Sequence, residues 1–241
     1  MHGLTYDTKN TKSIYADKRI RQAIEYAIDK QSIARALGYG QWKPMYQYCP
    51  EGRAGYSSKL EPRSYNTQKA KQLLAEAGYP TGLRAKAILD NRYIGKDAAE
   101  AIQSNLKDAG IQLDIEFVDP GLLNNYRSKG WNDAMMGFLT AAEQHMALAL
   151  QRTIDTGYIQ YFSMLRPPEM ADLYQKAFGA PDFDAQKTYT EQIVKLIYDE
   201  AMITPLWVTP TMSIKNKNIK DDQMCNFSHY IWYPGNAWIS K

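Results

Sequence analysis

The chain has 241 residues, 44% of them hydrophobic and 23% charged, and a formal net charge of +3. That length buries a core without staples and allows one large domain or two small ones. The basic residues are dispersed rather than gathered into a stripe, which argues against nucleic-acid binding, and no apolar run reaches the ~18 residues of a membrane span.

The opening "MHGLTYDTKN" has no charged region followed by an apolar one, so it is not a signal peptide. A cytoplasmic protein or a chain without its leader both fit. Eighteen Tyr and five Trp stand against six Phe. Such rings bury a flat body and keep a polar tip wet, in half-exposed packing or on a polar-aromatic binding surface. Cys49 and Cys225 form no C-x-x-C pair, and both a long-range disulfide and two free thiols stay open.

In chain order, Asp17 is placed to cap a helix whose Ile20, Ala23, Ile24, Ala27 and Ile28 recur at helical spacing. Asp29 starts a second helix through Ile33 and Leu37, with Gly38 as its stop. Residues 40–65 are rich in Tyr, Pro and Gly without period, a long irregular stretch of the kind that often carries function. Asn66 caps the next helix, ended by Gly78 and Pro80. "LRAKAILD" alternates as a strand over about 83–90. A helix with Ala98, Ile102 and Leu106 on one face follows, closed by Gly110.

"IQLDIEFVD" predicts a strand with Ile111, Leu113, Ile115 and Phe117 facing one way. A short helix over 120–128 and the apolar strand "DAMMGFLT" come next. Strand, helix, strand, helix, strand predicts an α/β core with crossover connections. The second half turns helical, from Pro167 and Pro168 through Leu173 and Ala177, then over "DAQKTYTEQIVKLIYDEA" with Ile193, Leu196 and Ile197 inward. "MITPLWVTPTMSIKN" reads as a Pro-interrupted strand suited to an edge or a crossing segment. The aromatic last twenty residues have no period and look like a tail that packs against something.

A search for chemistry returns little. His2, His145 and His229 lie in no metal-binding spacing, and no nucleophile elbow, phosphate loop or dinucleotide fingerprint is present. No cofactor or metal is expected. Asp119, Asp133 and Glu143 supply carboxylates, but no spacing singles out an acid–base pair. His145 follows a strand, where it serves either as a surface or helix-start residue or as a ligand contact. The missing reactive constellation favours a binding protein over a hydrolase.

Four segments in register carry a resemblance. "DKRIRQAIEYAIDKQSIA" resembles the D-x-R-V-R-Q-A-I-x-x-A-I-D-R segment of family 5 extracellular solute-binding proteins, the dipeptide, oligopeptide and nickel receptors of ABC importers. "YNTQKAKQLLAEAGYP", "AEAIQSNLKDAGIQLDIEFVD" and "YTEQIVKLIYDEAMITPLW" resemble later segments of the same family. The resemblance implies an α/β lobe of the periplasmic-binding-protein type II class, a mixed sheet flanked by helices with hinge strands at both ends. Members are about twice this length, so the chain resembles their C-terminal half. Residues 1–16 are then a hinge-proximal strand, 17–203 the second lobe, and 204–241 a return strand and tail against the first lobe. The implied setting is extracytoplasmic, periplasmic or lipid-anchored. The implied partners are a small solute or short peptide, the first lobe and the permease.

The resemblance also implies a ligand wall. The family's G-W-x-A-D segment, whose aspartate holds a peptide's free amine, matches Gly137 and Phe138, and the aspartate position falls on Ala141. That departure leaves a sugar, an opine-like compound or a metal chelate open beside a peptide, as well as a scaffold that has lost its ligand. Glu143 is a substitute carboxylate, Trp42 a stacking surface on the turn with Tyr39 and Gln41, and Trp131 a structural residue. Thr140, His145, Arg152 and Tyr158 complete the expected contacts.

Overall fold

The computed structural model describes residues 1–141, 143, 146–154, 160–210, 215–221 and 237–240. Its strands are β1 (His2–Tyr6), β2 (Lys43–Pro44), β3 (Leu83–Leu89), β4 (Ile111–Phe117), β5 (Met135–Leu139), β6 (Ile203–Val208), β7 (Ile219–Lys220) and β8 (Trp238–Ile239). The helices are α1 (Lys18–Ala27), α2 (Lys30–Leu37), α3 (Thr67–Glu76), α4 (Lys96–Asp108), α5 (Pro120–Lys129), α6 (Met146–Ile154), α7 (Glu169–Phe178) and α8 (Phe183–Asp199). Six strands form one mixed sheet in the order β2-β6-β1-β5-β3-β4, and β7 pairs with β8 apart from it.

The expected caps form. Asp17, Asp29 and Asn66 each accept a backbone N–H from the first turn of α1, α2 and α3, and Asp119 and Asp182 do the same for α5 and α8. Each such cap contributes about 1 kcal/mol. Strand alternation then sorts side chains into two cores. Leu4, Tyr6, Ala85, Ala87, Leu89 and Met135 meet α1 to α4 on one face. Ile88, Met136, Phe138 and Ile203 meet α5 to α8 on the other. In α1 the predicted Ile20, Ala23, Ile24 and Ala27 are all buried, and each isoleucine there contributes roughly 2 kcal/mol of burial.

The first segment of the family resemblance also buries its charges. Glu25 accepts from Lys30 Nζ at 3.1 Å and from Arg63 Nη1 at 2.8 Å, with all three residues buried. Arg63 also donates to the Tyr198 carbonyl and stacks over that ring, so one carboxylate ties α1, the start of α2, the end of the 40–65 loop and α8 together. Arg21 donates to the carbonyls of Tyr15, Ala16, Glu200 and Ala201, closing the end of α8 onto α1.

Two expectations are revised. Phe117 is 38% exposed and Ile115 only half-buried, at the end of β4, which is the outer edge strand of the sheet. β6 lies inside the sheet, one place from the edge, between β1 and the two-residue β2. Its Pro205 is tolerated beside a register shift at His2 and Gly3, where the ladder is already interrupted. Helix α6 was anticipated only in the reading of His145 as a helix start, and it begins at Met146. Cys49 is a buried free thiol, pushed up to about 12 by burial, while Cys225 lies outside the described residues.

Candidate functional site

Strand direction locates the site. β3, β4 and β5 run parallel, β1 runs against β5, and β6 runs against β1, so the carboxyl ends of β3, β4, β5 and β6 share one edge. From neighbouring strands the chain departs to opposite faces: β3 leads to α4 on one core and β5 leads to α6 on the other. Open α/β sheets form their ligand crevice at such a switch point, because diverging loops leave a gap over the strand ends.

The residues around that gap are tightly built. Gly137 has no side chain, and a Cβ there meets Leu89 at 3.6 Å and Tyr93 at 3.7 Å, so the Tyr93 ring lies against bare strand. The Tyr93 carbonyl accepts from His2 Nδ1 at 2.5 Å, which leaves Nε2 of a neutral ring to accept from the Thr209 hydroxyl at 3.1 Å. Burial pushes the His2 imidazole down to about 4. Met1 and Thr140 exchange two backbone hydrogen bonds beyond the end of β5. The Asp90 carboxylate is buried and gripped by Nε and Nη2 of Arg92, whose hydrogen bonds hold it below the usual carboxylate range. Arg127 donates to the Tyr93 hydroxyl at 3.0 Å and to Gln160 Oε1.

Of the residues expected from sequence, Thr140 and the exposed Ala141 lie at the crevice, at the end of β5. Trp42 is half-buried and stacked on Trp207, ring centroids 5.1 Å apart, beside the same edge. Tyr39 is 90% exposed in a left-handed backbone conformation (φ 48°), and Gln41 is exposed next to it. Phe138 is fully buried between Tyr48 and Tyr161, so it supports the wall from beneath. Glu143 is buried and pairs with Arg152 at 3.5 Å. Trp131 is buried, its indole N–H donating to the Ala134 carbonyl. His145 and Tyr158 lie outside the described residues.

Sequence reasoning passed over His2, Arg92, Tyr93, Arg127 and Thr209. "LDNRY" directly follows a predicted strand, and that was the available signal for Arg92 and Tyr93. His2 and Thr209 gain meaning only from the pairing of β1 with β6. Chemically, the wall offers flat aromatic surface and hydrogen-bonding groups. Among the described residues no cluster of three His, Cys, Asp or Glu side chains could hold a metal ion, and no helix is long and apolar enough to cross a membrane.

Known proteins of similar sequence and shape agree on the kind of molecule. Heme-binding protein A of Haemophilus influenzae is 38% identical over 80 residues, 33% of this chain and 15% of its own length. Glutathione-binding protein GsiB of Pectobacterium atrosepticum is 29% identical over 112 residues, 46% of this chain and 22% of its own. Among solved structures, a dipeptide-binding protein from Pseudoalteromonas in complex with Met-Leu superposes with a TM-score of 0.81 at 19% identity, covering 100% of this chain and 48% of that one. The oligopeptide-binding protein AppA of Bacillus subtilis gives 0.76 at 19%, covering 100% and 50%.

The chain thus spans about half the length of these solved neighbours, and the aligned segments a smaller share of the sequence relatives. The neighbours carry the type II periplasmic-binding-protein fold, and this mixed, helix-flanked sheet has it too. The model of the bacterial extracellular solute-binding proteins, family 5 Middle, matches residues 1–151. With more than half of its length matched, the chain belongs to the family 5 bacterial extracellular solute-binding proteins.

Proposed function

We propose that this chain supplies one wall of the solute-binding cleft in the substrate-binding component of an ABC importer. The observation that carries the reading is the switch-point crevice between β3 and β5, walled by aromatic and hydrogen-bonding side chains. Residues 17–203 form the second lobe, 1–16 the hinge-proximal strand that enters it, and 204–241 the return strand and tail. The opposing wall comes from an N-terminal lobe of the same protein, in keeping with neighbours about twice this length. A solute touching both walls favours the closed form by its differential affinity, and the closed shape is what the permease reads.

The solute is small, with a short peptide first and a sugar, opine or nickel chelate as alternatives. The protein acts outside the cytoplasm, in the periplasm or anchored by lipid, and catalyses no reaction. The names of the relatives, which bind heme, glutathione and peptides, support binding and leave the solute class broad. A thermal-shift screen of the two-lobed protein against peptides, sugars and nickel chelates tests the reading. Stabilisation by several degrees with one class is expected; a flat response to all of them contradicts it.

A further inference from the structure

Three guanidinium groups near the crevice are bound differently. Arg92 grips Asp90 through the Nε–Nη2 edge, with Nε at 3.0 Å from both carboxylate oxygens and Nη2 at 2.5 Å from one. Arg152 pairs with Glu143. Arg127, on the last turns of α5, has no carboxylate partner among the described residues. Its Nη1 donates to the Tyr93 hydroxyl and, at 3.3 Å, to Asn124 Oδ1, and its Nη2 donates to Gln160 Oε1, so every acceptor is neutral. The same guanidinium lies 5.0 Å from the centre of the Tyr161 ring, whose hydroxyl accepts the Leu139 N–H at the carboxyl end of β5. Its Nε is buried and has no hydrogen-bond partner.

An unpaired N–H on a half-buried cation is costly to leave unsatisfied. The Nε–Nη2 edge is shaped for the two oxygens of one carboxylate. Arg92 shows that use, whereas on Arg127 a single amide oxygen fills half of the fork. The Gln160 backbone is itself fixed, its carbonyl accepting from Arg166 Nη2 at 2.5 Å and the adjoining Tyr161 carbonyl accepting from Arg166 Nη1 at 3.2 Å. Those bonds hold the backbone and not the amide, so clearing the fork calls for rotation of the Gln160 side chain alone.

The geometry points to Arg127 as the receptor for an anionic, carboxylate-class group of the solute, with the Gln160 amide holding its place until the solute arrives. This rests on the solute-binding reading and narrows it: the group read by this wall carries negative charge. A neutral or cationic end, including a peptide's free amine, has no counterpart at Arg127.

Gln160→Glu in the two-lobed protein tests this, because it installs the missing carboxylate from within. Without any solute, the variant's thermal midpoint at pH 7 is expected to rise by about 3 °C. An unchanged or lowered midpoint overturns the assignment. Two dialanine probes of opposite charge then read the binding side: N-acetyl-dialanine, an anion, and dialanine propylamide, a cation with the same number of heavy atoms. The natural protein is expected to favour the anion at least tenfold, Arg127→Lys to lose about tenfold for the anion alone, and Gln160→Glu to abolish the anion's response. Preference for the cation, or an anion response that survives Gln160→Glu, overturns the proposal. A raised midpoint with no response to either probe leaves the carboxylate-shaped site standing and counts against solute binding.

Discussion

At the residue scale, the first-matched segment is explained by buried charge rather than by ligand contact. Glu25 pairs with both Lys30 and Arg63 out of water. Burial pushes the Lys30 ammonium down from its ordinary range and Glu25 opposes that push, so removing the carboxylate strands two cations. Glu25→Ala is expected to cost about 3–5 kcal/mol in urea unfolding, and replacing all three residues by apolar ones to recover most of it. His2 gives a pH signature. Its imidazole is pushed down to about 4 from an ordinary 6.5. The unfolded chain therefore takes up the proton first, and stability present above pH 6.5 drains away as the pH falls toward 4. The loss is on the order of 2 kcal/mol after allowance for partial exposure. Unfolding series at pH 7 and pH 4.5 should show a smaller difference in His2→Gln than in the natural protein.

At the element scale, helices were the most legible part of the sequence. Asp17, Asp29 and Asn66 announce their starts through short side chains that satisfy first-turn N–H groups, a local interaction readable without a partner. The strands at 83–89 and 111–117 were legible through apolar alternation, which the burial follows over the first four residues of each. The strand His2–Tyr6 was legible only through the family resemblance, since the pairing on both of its edges comes from β5 and β6 far along the chain. The site divided likewise. Trp42, Thr140 and Ala141 fall on or beside the crevice because they follow recognisable segments. Tyr93, Arg127 and His2 join it only through crossovers that no local pattern encodes.

Turn geometry makes a further test at this scale. Gly82 has φ +95°, and a Cβ there sits 2.2 Å from the Gly110 carbonyl oxygen, where the lead-ins to β3 and β4 touch. Gly82→Ala is expected to cost at least about 2 kcal/mol by denaturant midpoint, through strain at both the turn and the contact.

At the scale of the whole molecule, a crevice along one sheet edge is an open surface. A solute resting on it contacts one side only, so most of its own area stays in water. On the proposed reading, affinity requires the opposing lobe, and a closed state requires the two-lobed protein. The aromatic stack of Trp42 and Trp207 and the Arg127 fork lie on the same edge, where a second wall would cover both.

The most direct measurement is calorimetric titration of one solute, identified by the thermal-shift screen, into this 241-residue chain and into the two-lobed protein side by side. Micromolar or tighter binding to the two-lobed protein is expected, with at least a hundredfold weaker binding to the chain alone. Equal micromolar affinity in both would contradict it, since a single wall would then be a complete site.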